Sequence, residues 1–156
     1  LVWAGSEGDI EAAVGWDAAE GYNLISFAGV GSDYPVLDEI KAMYKDQGKE
    51  PPKEMEFTTY YNRGVFQAAV HLKAIENAVN KKGSGDITGT DVRDGMREIK
   101  DFSLGGMLPP LQMSAQDHEG GGYIRVFQVK DGGYQPVTEW FNAYREVIFE
   151  LIDETH

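Results

Sequence analysis

The period of the apolar residues changes several times along this chain, and each change marks an element. Tyr22 to Ala28, closed off by Gly21 and Gly29, is short and mostly apolar, which predicts a strand of an α/β sheet. Leu1 to Gly5 reads as a second short buried strand ending at a glycine loop. From Asp33 the period lengthens. Asp33 is placed to cap a helix with Pro35 in its first turn, and Leu37, Ile40 and Tyr44 follow at helical spacing until Gly48. Glu50-Pro-Pro-Lys then breaks the chain.

The longest helical pattern runs from about Thr59 to Lys81. Val65, Ala68, Leu72, Ile75 and Val79 fall on one stripe at alternating spacings of three and four, with Phe66, Ala69 and Val70 beside it. So wide an apolar surface predicts burial on more than one side. Thr88-Gly-Thr-Asp91 predicts another helix start, with Val92, Met96 and Ile99 as its apolar face. Phe102 to Pro110 reads as loop. Tyr123 to Val129 alternates as a strand, Asp131-Gly132-Gly133 signals a hairpin, and Tyr134 to Val137 is the returning strand. Glu139 to Glu154 reads as a closing amphipathic helix with Trp140, Phe141, Tyr144, Ile148 and Leu151 on or near its inner face. The order is mixed α/β, ending in an antiparallel strand pair and a helix, with no internal repeat.

At 156 residues the chain can build one domain with a real core. Its formal charge of −12 argues against nucleic acid, because a phosphate-binding surface needs clustered Lys and Arg. The absence of cysteine excludes disulfides, thiolate metal sites and a cysteine nucleophile. No apolar run approaches the roughly 20 residues that span a bilayer.

Catalytic and metal motifs fail on inspection. A calcium loop starting at Asp86 would need glycine where Asp91 stands and a bidentate glutamate where Arg97 stands. Asp117, His118 and Glu119 are adjacent in sequence and would not converge on one metal, and His71 and His156 add no ligand spacing. There is no GxSxG elbow and no GxGxxG between a strand and a helix. A recognition surface remains. Glu7 lies just past the first strand, where α/β sheets place ligand-facing loops, and a carboxylate there can accept from a ligand ammonium or stand as a solvated loop acid. Met55, Phe57, Tyr60 and Tyr61 supply apolar area and two hydroxyls, which suits either a small-molecule pocket or plain core.

Several short segments occur together in a telling order: Trp3-Ala-Gly-Ser-Glu-Gly, Ala18-Ala-Glu-Gly-Tyr22, Lys49-Glu-Pro-Pro52, the Tyr60-Tyr-Asn-Arg-Gly helix, Phe102-Ser-Leu-Gly-Gly106, Asp117-His118, and Val126-Phe-Gln-Val-Lys-Asp-Gly132. In that order the chain resembles the C-terminal half of the branched-chain amino acid type of ABC-transporter substrate-binding proteins, the type I periplasmic binding proteins. The resemblance implies a partial type I fold: Rossmann-like layered segments of two lobes joined by a three-strand hinge, with ligand trapped as the lobes close. It implies that residues 1–52 end the main segment of the C-terminal lobe, 53–116 return to the N-terminal lobe, and 117–156 cross back. By position Glu7 matches the family acid that holds a ligand ammonium, and Met55 an apolar wall residue, with Ser6, Phe57, Tyr60 and Tyr61 as neighbours.

The implied function is solute binding for an ABC importer, outside the cytoplasm (periplasmic, or lipid-anchored in a Gram-positive cell), with an amino acid, amide or small aromatic acid as ligand. The implied partners are that ligand and an ABC permease. No cofactor or metal is implied. Because family members are about twice this length, the chain is expected to be a fragment that exposes apolar faces, with dimerisation or strand exchange as a consequence. Two alternatives stand beside this reading: a ligand-sensing domain of a receptor or regulator, and a small α/β enzyme using Glu7 or Asp9 as general base.

Overall fold

The computed structural model describes residues 5–154. Six α-helices and three strands occur there: α1 (Glu7–Ala13), α2 (Trp16–Ala19), β1 (Asn23–Ser26), α3 (Pro35–Asp46), α4 (Thr58–Lys82), α5 (Gly89–Arg97), β2 (Arg125–Lys130), β3 (Gly133–Pro136) and α6 (Arg145–Glu154). Short 3-10 turns at Lys53–Glu56 and Leu104–Gly106 complete the order. The strand expected over residues 1–5 lies almost wholly outside the described residues.

The strands form one antiparallel sheet in the order β1-β2-β3. Leu24 faces Phe127 in register, and Lys130 faces Gly133 across the hairpin. The two turn residues, Asp131 and Gly132, both have positive φ (51° and 79°). That is the backbone a two-residue turn needs to match the twist of its strands, and the Asp-Gly pair supplies it at little cost.

Helix ends follow local chemistry where the sequence carries it. Thr88 accepts from the Asp91 N–H while the Asp91 carboxylate accepts from the Thr88 N–H, a complete capping box as expected. The same Ser-x-x-Asp spacing builds a box at Ser6 and Asp9, so the segment expected as an acidic loop is in fact the first turn of α1. Helix α4 stops at Gly83, whose left-handed backbone (φ 71°) lets its N–H reach the Val79 carbonyl at 2.8 Å.

Three expectations need correction. Asp33 does not cap α3: Tyr34 occupies that position without a side-chain bond, and Pro35 starts the helix with its preset φ. Residues 139–144 are not helical. Phe141 exchanges both backbone bonds with Ile124 at 2.8 and 2.9 Å, Tyr144 has φ 57°, and α6 begins only at Arg145. Tyr144, Ile148 and Leu151 are also exposed rather than turned inward. On α4 the buried side is Thr59, Asn62, Val70, Ala74 and Ala78, whereas Leu72 is 65% exposed and Ile75 is also exposed. Small residues win that face because α5 crosses it closely: a Cβ on Gly95 would lie 2.2 Å from the Ala74 carbonyl oxygen.

The core divides into two packing groups. Ala28, Leu37, Met55, Met107 and Leu108 form a cluster that shares Phe66 and Phe102 with a second, built on Val70, Ala74, Ile99 and Leu111. Ile10, Ala19 and Val129 form another, which shares Tyr134 with Leu24, Val30 and Phe127. Helices α3, α4 and α5 thus belong to one group, and α1, α2 and the sheet to the other. Leu37, before the segment boundary expected at residue 52, shares a cluster with Met55, after it.

Candidate functional site

The first four N–H groups of any helix lack partners inside it, and the positive end of the helix dipole lies there. Helix α4 begins without help from its own cap, since Phe57 makes no side-chain bond to it. Glu7 supplies the acceptor from far away in sequence. Its Oε2 accepts from the Thr59 N–H at 3.1 Å, and its Oε1 accepts from the Thr58 hydroxyl. The carboxylate therefore ties the start of α1 to the start of α4, and so one packing group to the other.

Thr58 works in both directions, because its Oγ1 also accepts from the Gly31 N–H at 2.7 Å. One turn on, the fully buried Asn62 donates from Nδ2 to the carbonyls of Gly29 and Gly31, both at 2.9 Å. The Gly29 N–H reaches the Met107 carbonyl at 2.7 Å. The start of α4 thus gathers α1 and the β1–α3 loop at one junction.

Of the residues selected from sequence, Ser6, Glu7, Phe57 and Tyr60 lie around this junction. Ser6 is committed to its capping box: its N–H and hydroxyl both donate to Asp9 Oδ2 at 2.9 Å. Those bonds hold the Asp9 carboxyl below the usual carboxylate range. Phe57 lies against α1, with two ring carbons 3.2 Å from where a Cβ on Gly8 would sit. Tyr60 is half exposed and borders a cavity of about 780 Å³, also walled by Gly5, Asp9, Ile10 and Tyr22. Glu7 is not part of that wall. Met55 and Tyr61 are placed elsewhere, Met55 buried in the cluster with Leu37 and Tyr61 packed against it. Burial raises the Tyr61 phenol above its ordinary pKa.

Sequence reasoning missed Thr58, Thr59 and Asn62, although all three are neighbours of Phe57, Tyr60 and Tyr61 in the chain. Their partners are 27 to 52 residues away, and no local pattern announces such bonds. It also missed Tyr134, whose hydroxyl donates to the Gly5 carbonyl at 3.1 Å. Burial, reinforced by Tyr22, Glu7, Asp9 and Tyr60, pushes that phenol far above its ordinary range and keeps it a neutral donor. Among the described residues no three acidic or histidine side chains converge as a metal site. Asp117 and Glu119 instead face Arg145, at 2.6 and 3.7 Å. No helix among the described residues is long and apolar enough to cross a membrane.

The two packing groups meet at this polar junction. The chain belongs to the periplasmic binding protein family, which it matches over residues 1–134. It is similar to a crystal structure from the Pseudomonas fluorescens group, described as an ABC transporter permease, with 35% identity and a TM-score of 0.83. That match covers 99% of this chain and 39% of the other. A branched-chain amino acid ABC transporter protein from Thermus thermophilus, with bound valine, aligns at TM-score 0.73 and 22% identity over 97% of this chain and 40% of its own. A leucine-binding protein from Thermotoga maritima aligns at TM-score 0.54 and 22% identity, covering 88% of this chain and 35% of that one. No curated protein matches.

The chain therefore spans about two fifths of the length of the solved proteins it matches. The type I resemblance and the mixed α/β class expected from sequence are borne out. The comparisons lend no support to self-association.

Proposed function

We propose that this chain is the part of an extracytoplasmic solute-binding protein that carries the acidic anchor for the ligand, and that the whole protein delivers its ligand to an ABC permease. The observation that carries the reading is Glu7: in a member of a binding-protein family, one carboxylate spans the two packing groups. A carboxylate accepts about four hydrogen bonds, and Thr58 and Thr59 occupy two. A ligand ammonium takes the remainder through charge-assisted bonds, so binding and approach of the two groups share one side chain. Ser6 positions α1 beneath Glu7, Phe57 and Tyr60 supply aromatic surface beside it, and Met55 and Tyr61 back the wall from the core. Packing of α3 with α4 supports a lobe crossing at Gly29–Ser32, between β1 and α3, ahead of the boundary expected near residue 52. The favoured ligand class is an amino acid, with an amide next and a small aromatic acid last, since the last lacks the donor Glu7 needs.

Binding without covalent chemistry fits the polar groups on hand. The Asp9 carboxyl is shifted downward, away from the near-neutral value a general base needs. Valine, present in the Thermus thermophilus structure, is the first probe. In the protein expressed from its complete gene, titration calorimetry with L-valine should show binding, and Glu7→Gln should weaken it by about 10- to 100-fold, the worth of one charged hydrogen bond. Equal affinity in wild type and Glu7→Gln would remove Glu7 from the site.

A further inference from the structure

The bond pattern around Thr58 points beyond Glu7 itself. Thr58 is 5% exposed, and its one oxygen is placed between two groups that belong to different parts of the chain. It accepts from the Gly31 N–H through a lone pair and donates its single hydrogen to the Glu7 carboxylate. The neighbouring Thr59 N–H, at the positive end of α4, fixes the other carboxylate oxygen. Gly31 is itself held by Asn62 through its carbonyl. The β1–α3 loop, α4 and α1 are thereby linked in series: Gly31 to Thr58 to Glu7.

We propose that Thr58 is a positioning residue for the ligand ammonium, and that it couples the orientation of Glu7 to the seating of the β1–α3 loop on α4. The inference rests on the ligand-binding role proposed for Glu7. When Gly31 is seated, the Thr58 hydroxyl points its hydrogen at Glu7 and holds the carboxylate with one rotamer already chosen, which lowers the ordering cost of binding. When the loop leaves, the hydroxyl can rotate and Glu7 loses that constraint. Thr59 has no such role through its side chain: its hydroxyl is buried without a hydrogen-bond partner, and only its backbone N–H meets Glu7.

The test is a set of four proteins beside wild type, each expressed from the complete gene: Thr58→Val, Thr58→Ser, Glu7→Gln and the Thr58→Val/Glu7→Gln double variant. L-valine affinity is measured by calorimetry. The expected result is about tenfold weaker binding in Thr58→Val, affinity within about twofold of wild type in Thr58→Ser, and no further loss when Thr58→Val is added to Glu7→Gln. A purely structural threonine would not give an effect that vanishes in the Glu7→Gln background. Equal losses in the valine and serine variants, or losses that multiply in the double variant, would overturn the proposal.

If wild type does not bind L-valine, the valine assignment fails on its own, and the coupling is decided by urea unfolding of the same proteins. The unfolding constants of the single variants should then combine with a deficit of at least about fivefold in the double variant, and simple multiplication would overturn the linkage. Should Thr58→Val not fold, Thr58→Ala takes its place in both arms with the same expected outcomes.

Discussion

Two glycines in helix interiors should respond to the same substitution with opposite signs. Gly64 in α4 is exposed, and a Cβ built there meets nothing within 4 Å. Gly64→Ala should therefore collect the helix-propensity gain, about 0.8–1 kcal/mol. Gly95 in α5 is buried against α4, and a Cβ there would stand 2.2 Å from the Ala74 carbonyl oxygen and 3.0 Å from the Ala78 nitrogen. Ordinary contact begins at 3.4 Å, so the two backbones must part by about 1.2 Å. That shift also strains the 3.0 Å bond from Asn77 Nδ2 to the Gly95 carbonyl and loosens the packing of Val70, Ala74 and Ile99. Overpacking of this kind costs about 1–3 kcal/mol, and more where backbone must move. Set against the propensity gain, the net loss for Gly95→Ala is expected near 1–2 kcal/mol. Urea unfolding followed by far-UV circular dichroism gives both numbers from the shift in midpoint at constant slope. A Gly95→Ala variant as stable as Gly64→Ala would show that α4 and α5 do not approach this closely.

Two further outcomes follow from the α5 start. Thr88→Ala removes the side-chain acceptor for the Asp91 N–H and should cost about 1 kcal/mol in urea unfolding, while Thr88→Ser should cost little. Asp91 is lowered from 3.8 to about 2, first by the Thr88 N–H and then by the Lys82 ammonium and Thr88 hydroxyl. Its folded pKa is depressed, so its contribution is fully present above about pH 4 and is lost as pH falls through about 2. The stability gap between wild type and Asp91→Asn should be constant from pH 7 to 5 and close toward pH 2. A gap unchanged at pH 2 would refute the assignment.

Much of the local structure was legible in the residues themselves. Thr88 and Asp91 announce a helix start because both halves of the capping box lie within one turn. Asp131-Gly132 announces the hairpin because few residue pairs tolerate two positive φ values in succession. The same spacing at Ser6 and Asp9 carries the same signal, obscured by Gly5 before the box and Gly8 within it. Phe141 and Tyr144 fit a helical stripe and so extend the expected closing helix too far, yet Phe141 pairs with Ile124, 17 positions earlier in the chain, and no periodicity records that.

The family was readable from the order of short segments, but the candidate site was not. Sequence alone determined that α4 is long with a wide apolar surface, and that an acid stands at position 7. It did not determine which side of α4 is buried, since Leu72 and Ile75 are as apolar as the face that α5 covers. Nor did it bring Glu7 to Thr58 and Thr59. Contacts between residues 51 and 52 positions apart depend on how two packing groups meet, and that is decided by the shapes of their cores. Tertiary structure alone turned an isolated acid into the acceptor at the start of α4.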